Sequence, residues 1–195
     1  MSFEKIFRYQ YVLASKSPRR IKLLKQLGLN FISKDSKIEE LESNIFKPVE
    51  IVRTNSKLKS GKVSKFFNNR IIIAADTIVA INEKVFHKPL DNKEAKNFLN
   101  ILSGKKHVVY TGINIINLIN NKSLFDYEKT DVYFRNLSDN EINYYVEHHN
   151  PLDKAGSYGI QDDFGCLLVK KIQGDYYNVV GLPLVKLYEM LLRII

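Results

Sequence analysis

The residues near the start of the chain that could do chemistry lie where a short apolar segment meets a predicted helix. This stretch reads Leu13-Ala-Ser-Lys-Ser-Pro-Arg-Arg20, in which Ser17 is a good helix cap and Pro18 suits the first helical position. The helix dipole disfavours cations in that first turn, whereas the free backbone N–H groups there favour anions. Arg19 and Arg20, with the hydroxyls of Ser15 and Ser17, therefore predict a phosphate-binding site. A solvated basic helix end explains the same residues equally well.

Asp76 is a carboxylate inside an apolar run, Arg70-Ile-Ile-Ile-Ala-Ala-Asp-Thr-Ile-Val-Ala-Ile81. A buried strand does not tolerate an unpaired carboxylate cheaply, so Asp76 should lie at a strand end, pair with a lysine or bind a metal ion. The alternative is an aspartate in a turn between two strands. Because perturbed acids collect at acid/base and metal sites, we favour a functional role for Asp76.

Other polar residues are less informative individually. Glu40 belongs to an acidic segment, residues 36–42, in which most carboxylates are expected to be solvated, although one could help to hold a cation. Lys57 lies near the middle of a helix predicted from Pro48 to about Phe67, where most lysines are exposed. Residues 150–161 contain a proline, two glycines and an Asp-Lys pair, which is typical of either a shaped functional loop or a plain connection.

These features together suit the hydrolysis of a phosphoanhydride. That reaction needs cations on the phosphates, a divalent ion to neutralise developing charge, and a carboxylate that orients or deprotonates water. The sequence contains no Gly-x-x-x-x-Gly-Lys-Ser/Thr loop, and no Gly-x-Gly-x-x-Gly motif stands between a strand and a helix. A P-loop enzyme is therefore excluded.

The remaining pattern predicts helices and strands around these residues. Gly28 should end the first helix, and capping boxes at Asp91 and Ser138 should begin two others. Strands are predicted for residues 30–33, an antiparallel pair over 107–116 and 123–134, and a hairpin of 166–172 with 176–180; a last helix should begin at Gly181-Leu-Pro183. His148 and His149 lie at a helix C-terminus, where the dipole favours them, so they are interpreted as structural.

Composition places limits on the class of protein. The chain of 195 residues is 45% hydrophobic, which suits a single domain over residues 1–195. It contains no membrane-length apolar run and no signal-peptide pattern, so we expect a cytoplasmic protein that does not bind a membrane. The single Cys166 excludes an internal disulfide and is expected to be a small core residue. The net charge of +9 favours an anionic partner, but the lysines are scattered.

The motifs also match a known family. The chain resembles the Maf family of nucleoside triphosphate pyrophosphatases over nearly its whole length, and the matching motifs stand in order: Leu13-Ala-Ser-Lys-Ser-Pro-Arg-Arg20, Ala74-Ala-Asp-Thr77, Lys88-Pro89, Leu102-Ser-Gly104 with His107 and Thr111, Asp153-Lys-Ala-Gly-Ser-Tyr-Gly-Ile-Gln161, and Gly174-Asp-Tyr-Tyr-Asn-Val-Val-Gly-Leu-Pro183. The resemblance implies an α/β fold like that of inosine triphosphate pyrophosphatases, with a central mixed sheet flanked by helices and a nucleotide cleft between two lobes.

The resemblance also implies an activity and site residues. The activity is hydrolysis of a nucleoside triphosphate between its α and β phosphorus atoms with a divalent cation, Mg²⁺ or Mn²⁺. Asp76 would match the family's proton acceptor and, with Glu40, is expected to hold the metal. Arg19, Thr77 and Gln161 match positions that separate substrate subgroups, and here they look like the dTTP/UTP subgroup rather than the 7-methyl-GTP subgroup. Further polar pocket positions match Ser15, Arg20, Glu40, Lys57 and Lys88.

Two stretches depart from the family pattern. Around Lys57, Arg53-Thr-Asn-Ser-Lys-Leu58 replaces the usual Leu-Ala-x-x-Lys-Ala, and Asp162-Asp-Phe-Gly-Cys166 lacks the usual Gly-x-Gly-Ala. The rival hypotheses are a non-catalytic nucleotide-binding regulator of cell division and a nucleic-acid-binding module. The sequence has no aromatic and basic stripe that would support nucleic-acid binding. Family resemblance also raises the expectation of a homodimer.

Overall fold

The computed structural model describes residues 3–43, 45–82 and 84–195, and these form one mixed sheet of seven strands flanked by helices. The strands are β1 (Tyr11–Leu13), β2 (Phe31–Ser33), β3 (Ile71–Ile81), β4 (Lys84–Phe86), β5 (Lys106–Asn117), β6 (Lys122–Phe134) and β7 (Val169–Gln173). The helices are α1 (Pro18–Gln26), α2 (Pro48–Ser64), α3 (Asn92–Leu102), α4 (Asp139–His148), α5 (Tyr176–Val180) and α6 (Leu184–Ile194). The α/β fold with a central mixed sheet is thereby confirmed.

The sheet has the order β2-β1-β3-β5-β6-β7, and β4 pairs with β3 outside that path. β1 pairs in parallel with both β2 and β3, whereas β3, β5, β6 and β7 pair with one another in antiparallel fashion. The long β3 therefore lies at the junction of the parallel and antiparallel parts. Side chains of β3 can therefore contact both the segment that follows β1 and the antiparallel strands.

Alternation along β3 sends neighbouring side chains to opposite faces of the sheet. Ile72, Ala74 and Ile78 pack in the clusters on the α2 side, while Ile71 and Ile73 join the larger core that includes α1, α3, α4 and α6. Asp76 has the parity of Ile72 and Ala74 and so faces α2. Thr77, the next residue, faces the other way, toward α1 and α5.

The helix that follows β1 begins as its sequence predicts. Ser17 is the N-cap and accepts a hydrogen bond from the backbone N–H of Arg20, and Pro18 is the first helical residue. Leu23 and Leu24 are buried in the large core. These apolar contacts fix the direction of α1, because a helix of this length depends on tertiary packing for its stability.

The two predicted capping motifs also begin helices. The Asp91 carboxylate accepts from the backbone N–H of Glu94 at the start of α3, at 2.7 Å. At the start of α4, Ser138 and Glu141 make both bonds of a capping box. His148 and His149 lie at the end of α4 and stack on Tyr144 and Tyr145, outside the residues that line the cleft described below.

The predicted hairpin of residues 166–172 and 176–180 is wrong. β7 pairs with β6, and residues 176–180 form α5, because the Asp175 carboxylate caps the N–H of Tyr177 and Gly181 ends the helix in the left-handed region at φ 118°. These end signals outweigh the strand preference of the Tyr and Val residues between them. Cys166 is exposed, so its assignment to the core is also wrong.

Within residues 3–43, 45–82 and 84–195, none of the helices has the length and apolar character of a membrane span.

His107 is buried beside the rings of Phe134 and Tyr158, and its Nε2 lies 2.8 Å from the Tyr158 hydroxyl. Burial lowers the pKa of His107 to about 3. His107 therefore stays neutral at physiological pH and supports the loop that contains Tyr158.

Candidate active site

A cleft with a volume of about 740 Å³ opens beside the start of α1. It is lined by the start of α1, the segment of residues 35–42, the middle of β3, and the segment of residues 153–161. Eight residues identified from the sequence line it together: Ser15, Arg19, Arg20, Glu40, Asp76, Thr77, Lys88 and Gln161. A volume of this size suits a nucleotide.

Asp76 lies at the floor of this cleft and is only 4% exposed. Its Oδ1 is 2.6 Å from the ammonium of Lys59, and its Oδ2 accepts a hydrogen bond of 3.0 Å from the amide of Asn55. The expectation that a strand carboxylate needs a lysine, a metal ion or a strand end is met by the lysine. Each carboxylate oxygen can accept more than one hydrogen bond, so Asp76 keeps acceptor capacity for a water molecule or a substrate.

Glu40 shares the same lysine. The Lys59 ammonium lies 2.7 Å from Glu40 Oε1, and Lys88 approaches Glu40 Oε2 at 3.3 Å. Burial opposes ionisation of Glu40, but the charges and hydrogen bonds of Lys59 and Lys88 outweigh it and lower the pKa of Glu40 to about 2. Asp76, Lys59 and the partly buried Glu40 therefore form an ion cluster, which we call the acid–lysine cluster, with Glu40 negative at neutral pH.

Arg20 links α1 to β3 and α5. Its Nε donates to the Gly181 carbonyl at 2.9 Å, and one terminal nitrogen donates to Thr77 Oγ1 at 3.0 Å. The Thr77 hydroxyl also lies 2.9 Å from that of Thr111. Burial lowers the pKa of the Arg20 guanidinium, while the negative charges of Asp76 and Glu40 oppose that shift. Arg20 is thus a positioned cation on the wall of the cleft, and Thr77 helps to orient it.

Arg19 joins the start of α1 to the segment of residues 153–161. Its guanidinium donates to the Asp153 carboxylate at 2.6 Å and to the Asp153 carbonyl at 2.9 Å. Burial favours the neutral form of Asp153, but hydrogen bonds from Lys154 and Arg19 outweigh burial and lower the pKa of Asp153. The charge of Arg19 is therefore balanced by a carboxylate that also lines the cleft.

Gln161 is oriented by its neighbour. Its Nε2 donates to Asp162 Oδ1 at 2.6 Å, which leaves the buried Oε1 without a hydrogen-bond partner among the described residues. Lys154 pairs with both Asp153 and Asp162, at 2.7 and 3.1 Å, and ties the ends of this segment together. The segment of residues 153–161 is therefore a shaped wall of the cleft and not a plain connection.

The predicted phosphate-binding turn faces the cleft, since residues 14–20 all line it. The Ser15 hydroxyl accepts from the backbone N–H of Ser17 at 3.1 Å, and Ser17 Oγ caps Arg20, so both hydroxyls order the turn itself. Arg19 and Arg20 project from a helix N-terminus, where backbone N–H groups favour anions. The turn thus brings two ordered hydroxyls, two arginines and a helix N-terminus to the cleft that the acid–lysine cluster also lines.

Lys57 does not lie in the cleft. It is exposed on the outer face of α2, whereas Lys59 is 6% exposed and holds both acids. The helical spacing shows why: the buried face of α2 contains Ile51, Val52, Asn55, Ser56, Lys59, Ser60 and Val63. That spacing, anchored on the apolar residues 51, 52 and 63, is the sequence signal that could have selected Lys59.

A divalent cation such as Mg²⁺ needs hard oxygen donors. The described residues include no group of three or more His, Cys, Asp or Glu side chains that could hold a metal ion. Mg²⁺ is commonly bound by one or two carboxylates, with substrate phosphates and water completing its shell. Asp76 and Glu40 supply two such hard oxygen donors, so the residues fit an ion that enters with a triphosphate.

Several named proteins are similar to this chain over almost its full length. The dTTP/UTP pyrophosphatase of Dictyoglomus thermophilum is 44% identical over 95% of this chain and 96% of its own. The dTTP/UTP pyrophosphatase of Alkaliphilus oremlandii is 48% identical over 91% of this chain and 92% of its own, and that of Cytophaga hutchinsonii is 46% identical over 92% and 82%.

A solved structure is a more distant neighbour. The Staphylococcus aureus Ham1 protein is 16% identical and aligns with a TM-score of 0.45 over 64% of this chain and 71% of its own. The Maf-like protein family matches residues 10–194. That match includes every element that lines the cleft, and the chain therefore belongs to the Maf-like protein family.

Proposed function

We propose that this protein hydrolyses dTTP and UTP to the monophosphate and pyrophosphate. The observation that carries the proposal is the acid–lysine cluster at the floor of a cleft whose wall contains two arginines at a helix N-terminus. The relatives named above support the substrates, since the three described carry the name dTTP/UTP pyrophosphatase. A buried, charge-balanced acid beside a cationic anion site is the arrangement that phosphoanhydride hydrolysis requires.

Asp76 is assigned the role of general base. It takes a proton from a water molecule that attacks the α phosphorus, the bond to the bridging oxygen of the β phosphate breaks, and pyrophosphate leaves with the electron pair. The Lys59 ammonium pairs with Asp76 Oδ1, 2.6 Å away, and leaves Oδ2 with a single amide partner among the described residues. Arg19, Arg20 and Lys88 hold the phosphates, because guanidinium and ammonium groups stabilise charge that develops on phosphate oxygens.

A divalent cation, Mg²⁺ or Mn²⁺, would be held by Asp76 and Glu40 together with the phosphates. When bound it would neutralise charge on the triphosphate. Glu40 Oε2 is reached by the half-exposed Lys88 at 3.3 Å, a weaker contact than that between Oε1 and Lys59. Glu40 can therefore exchange Lys88 for a cation without giving up Lys59.

Pyrimidine preference is assigned to Gln161, which lines the cleft. Thymine and uracil share an imide N–H, and the buried Oε1 of Gln161 is an acceptor whose orientation is set by the bond from Nε2 to Asp162. An acceptor that is left unpaired in a buried site discriminates strongly against bases that cannot donate to it. This arrangement supports a preference for dTTP and UTP within the cleft.

The proposal is tested by incubating the purified protein with dTTP, UTP, CTP and 7-methyl-GTP in the presence of Mg²⁺ or Mn²⁺. We expect pyrophosphate and the monophosphate in equal amounts from dTTP and UTP, at higher kcat/KM than from the other two. Tight nucleotide binding with only intact triphosphate recovered would indicate a non-catalytic regulator instead. Salt-dependent binding of DNA or RNA that is stronger than nucleotide binding would indicate a nucleic-acid partner.

Replacing Arg19 by Ala should weaken substrate binding more than turnover. A phosphate or base contact that is present before reaction contributes to ground-state binding, so KM for dTTP should rise while kcat changes less. Arg193→Ala removes an exposed arginine from α6 and is the matched control. If Arg19→Ala leaves KM at the value of that control, then Arg19 pairs only with Asp153 and has no substrate contact.

A further inference from the structure

Asn55 is a buried amide in the middle of α2 that contacts Asp76 and the backbone of Leu41, the residue after Glu40. It is 1% exposed and lies on the same helix face as Lys59, one turn earlier. Its Nδ2 donates to Asp76 Oδ2 at 3.0 Å and to the Leu41 carbonyl at 3.2 Å, and its Oδ1 accepts from the Leu41 backbone N–H at 2.7 Å. All three bonds come from one side chain.

The partner of these bonds is the segment that contains Glu40. Residues 34–43 form no helix or strand, so secondary-structure bonds do not fix the position of this part of the chain. Asn55 binds both the N–H and the C=O of Leu41, as a neighbouring strand would. Because Leu41 directly follows Glu40, this pair of hydrogen bonds sets where the Glu40 carboxylate lies relative to Asp76.

The same amide fixes the second acid. Asp76 Oδ1 is held by Lys59 and Oδ2 by Asn55, so the plane of the carboxylate is defined from both sides. Lys59 alone would allow the carboxylate to rotate about its single contact. Asn55 and Lys59 are spaced i, i+4 on α2, and one rigid helix therefore presents both donors to the acid.

We infer that Asn55 is a positioning residue for the hydrolysis, one that locks the Glu40 segment onto α2 and sets the orientation of Asp76. This inference rests on the proposed function, because it assigns Asn55 to the geometry of that same site. Asn55 does not itself contact the substrate in this scheme. Its contribution is to the placement of the two carboxylates, and misplacement of a catalytic group by about 1 Å can cost on the order of 10²-fold in rate.

The test compares three variants of the full chain: Asn55→Ala, Asn55→Asp and Ser56→Ala. Asn55→Ala removes all three bonds and should lower kcat for dTTP by a factor on the order of 10 to 10², with a smaller change in KM. Asn55→Asp keeps the shape and the acceptor for the Leu41 N–H but cannot donate to Asp76 when ionised. In this variant the Leu41 amide should stay protected from hydrogen exchange, while kcat should still fall.

Ser56→Ala is the matched control. Ser56 is equally buried on the next position of α2, but its hydroxyl donates to the Arg53 carbonyl of its own helix, away from the acids. It should keep wild-type kcat. Hydrogen exchange of the peptide that contains residues 38–42 gives a second readout: amide protection should fall in Asn55→Ala and not in Ser56→Ala.

The outcomes separate the inference from the function it rests on. If Asn55→Ala is folded and keeps both wild-type kcat and wild-type protection of residues 38–42, the inference is overturned. If Asn55→Ala does not fold, Asn55→Asp decides, and wild-type kcat in that variant would remove the Asp76 contact from the mechanism. If the wild-type chain releases no pyrophosphate, the proposed function fails, and the exchange measurement still shows whether Asn55 holds the segment.

Discussion

Replacing Asp76 by Asn should lower kcat for dTTP and UTP by a factor on the order of 10² to 10⁴, the range expected for loss of a general base. The amide keeps the size and shape of the side chain but removes the charge and nearly all basicity. Lys59 still pairs with Glu40 at 2.7 Å in this variant, so no buried cation is left without a partner. The fold should therefore survive, which circular dichroism and a melting curve would verify.

Asp131→Asn is the control for that experiment. Asp131 is also a strand carboxylate paired with a lysine, Lys106 at 3.1 Å, but it lies on β6 outside the cleft lining. Its substitution should leave kcat unchanged. Near-full turnover in a folded Asp76→Asn enzyme would remove Asp76 from the mechanism, and Glu40, the other acid of the cluster, would become the candidate base.

The parts of the site that could be predicted from the sequence are those with short-range rules. Ser17-Pro18 specifies a helix start through local capping, and the Arg19-Arg20 turn follows from it. Asp76 stands out because an acid inside an apolar run carries a cost that must be offset by a partner. In each case the physical reason acts within a few residues, so one sequence is sufficient.

The identity of the Asp76 partner could not be obtained in the same way. Lys57 and Lys59 are two positions apart on α2, so their side chains differ in direction by about 200° around the helix axis. Lys57 is therefore exposed while Lys59 is buried. The family pattern matches Lys57, whereas the apolar residues Ile51, Val52 and Val63 place position 59 on the buried face. Lysines are seldom buried, so neither lysine stands out in the sequence as the partner of a buried acid.

For α5, the sequence composition predicts the wrong type of element. Tyr176 to Val180 has strand-like composition, yet the cap at Asp175 and the left-handed Gly181 close a five-residue helix between them. Strand preference is strongly dependent on tertiary context, whereas these end residues satisfy specific backbone groups. The consequence for the site is direct, because the Gly181 carbonyl at the end of α5 accepts from Arg20.

Replacing Lys59 by Met should have the largest effect on stability. The substitution keeps a similar side-chain length but deprives both the buried Asp76 and the partly buried Glu40 of the cation that pairs with them. Removing one partner of a buried ion pair typically costs about 3–5 kcal/mol, since the remaining charge stays desolvated. Urea unfolding should therefore show a large fall in the midpoint, and nucleotide turnover should be lost as well.

Lys57→Met on the same helix is the matched comparison, because it makes the identical chemical change at an exposed position. Its effect should stay within about 0.5 kcal/mol, as for most surface substitutions. Adding Asp76→Asn to Lys59→Met should recover part of the lost stability, because the double variant no longer contains two like charges around the missing ammonium. Equal unfolding midpoints for Lys59→Met and Lys57→Met would contradict the acid–lysine cluster, and with it the role of Lys59 as the ion-pair partner of Asp76.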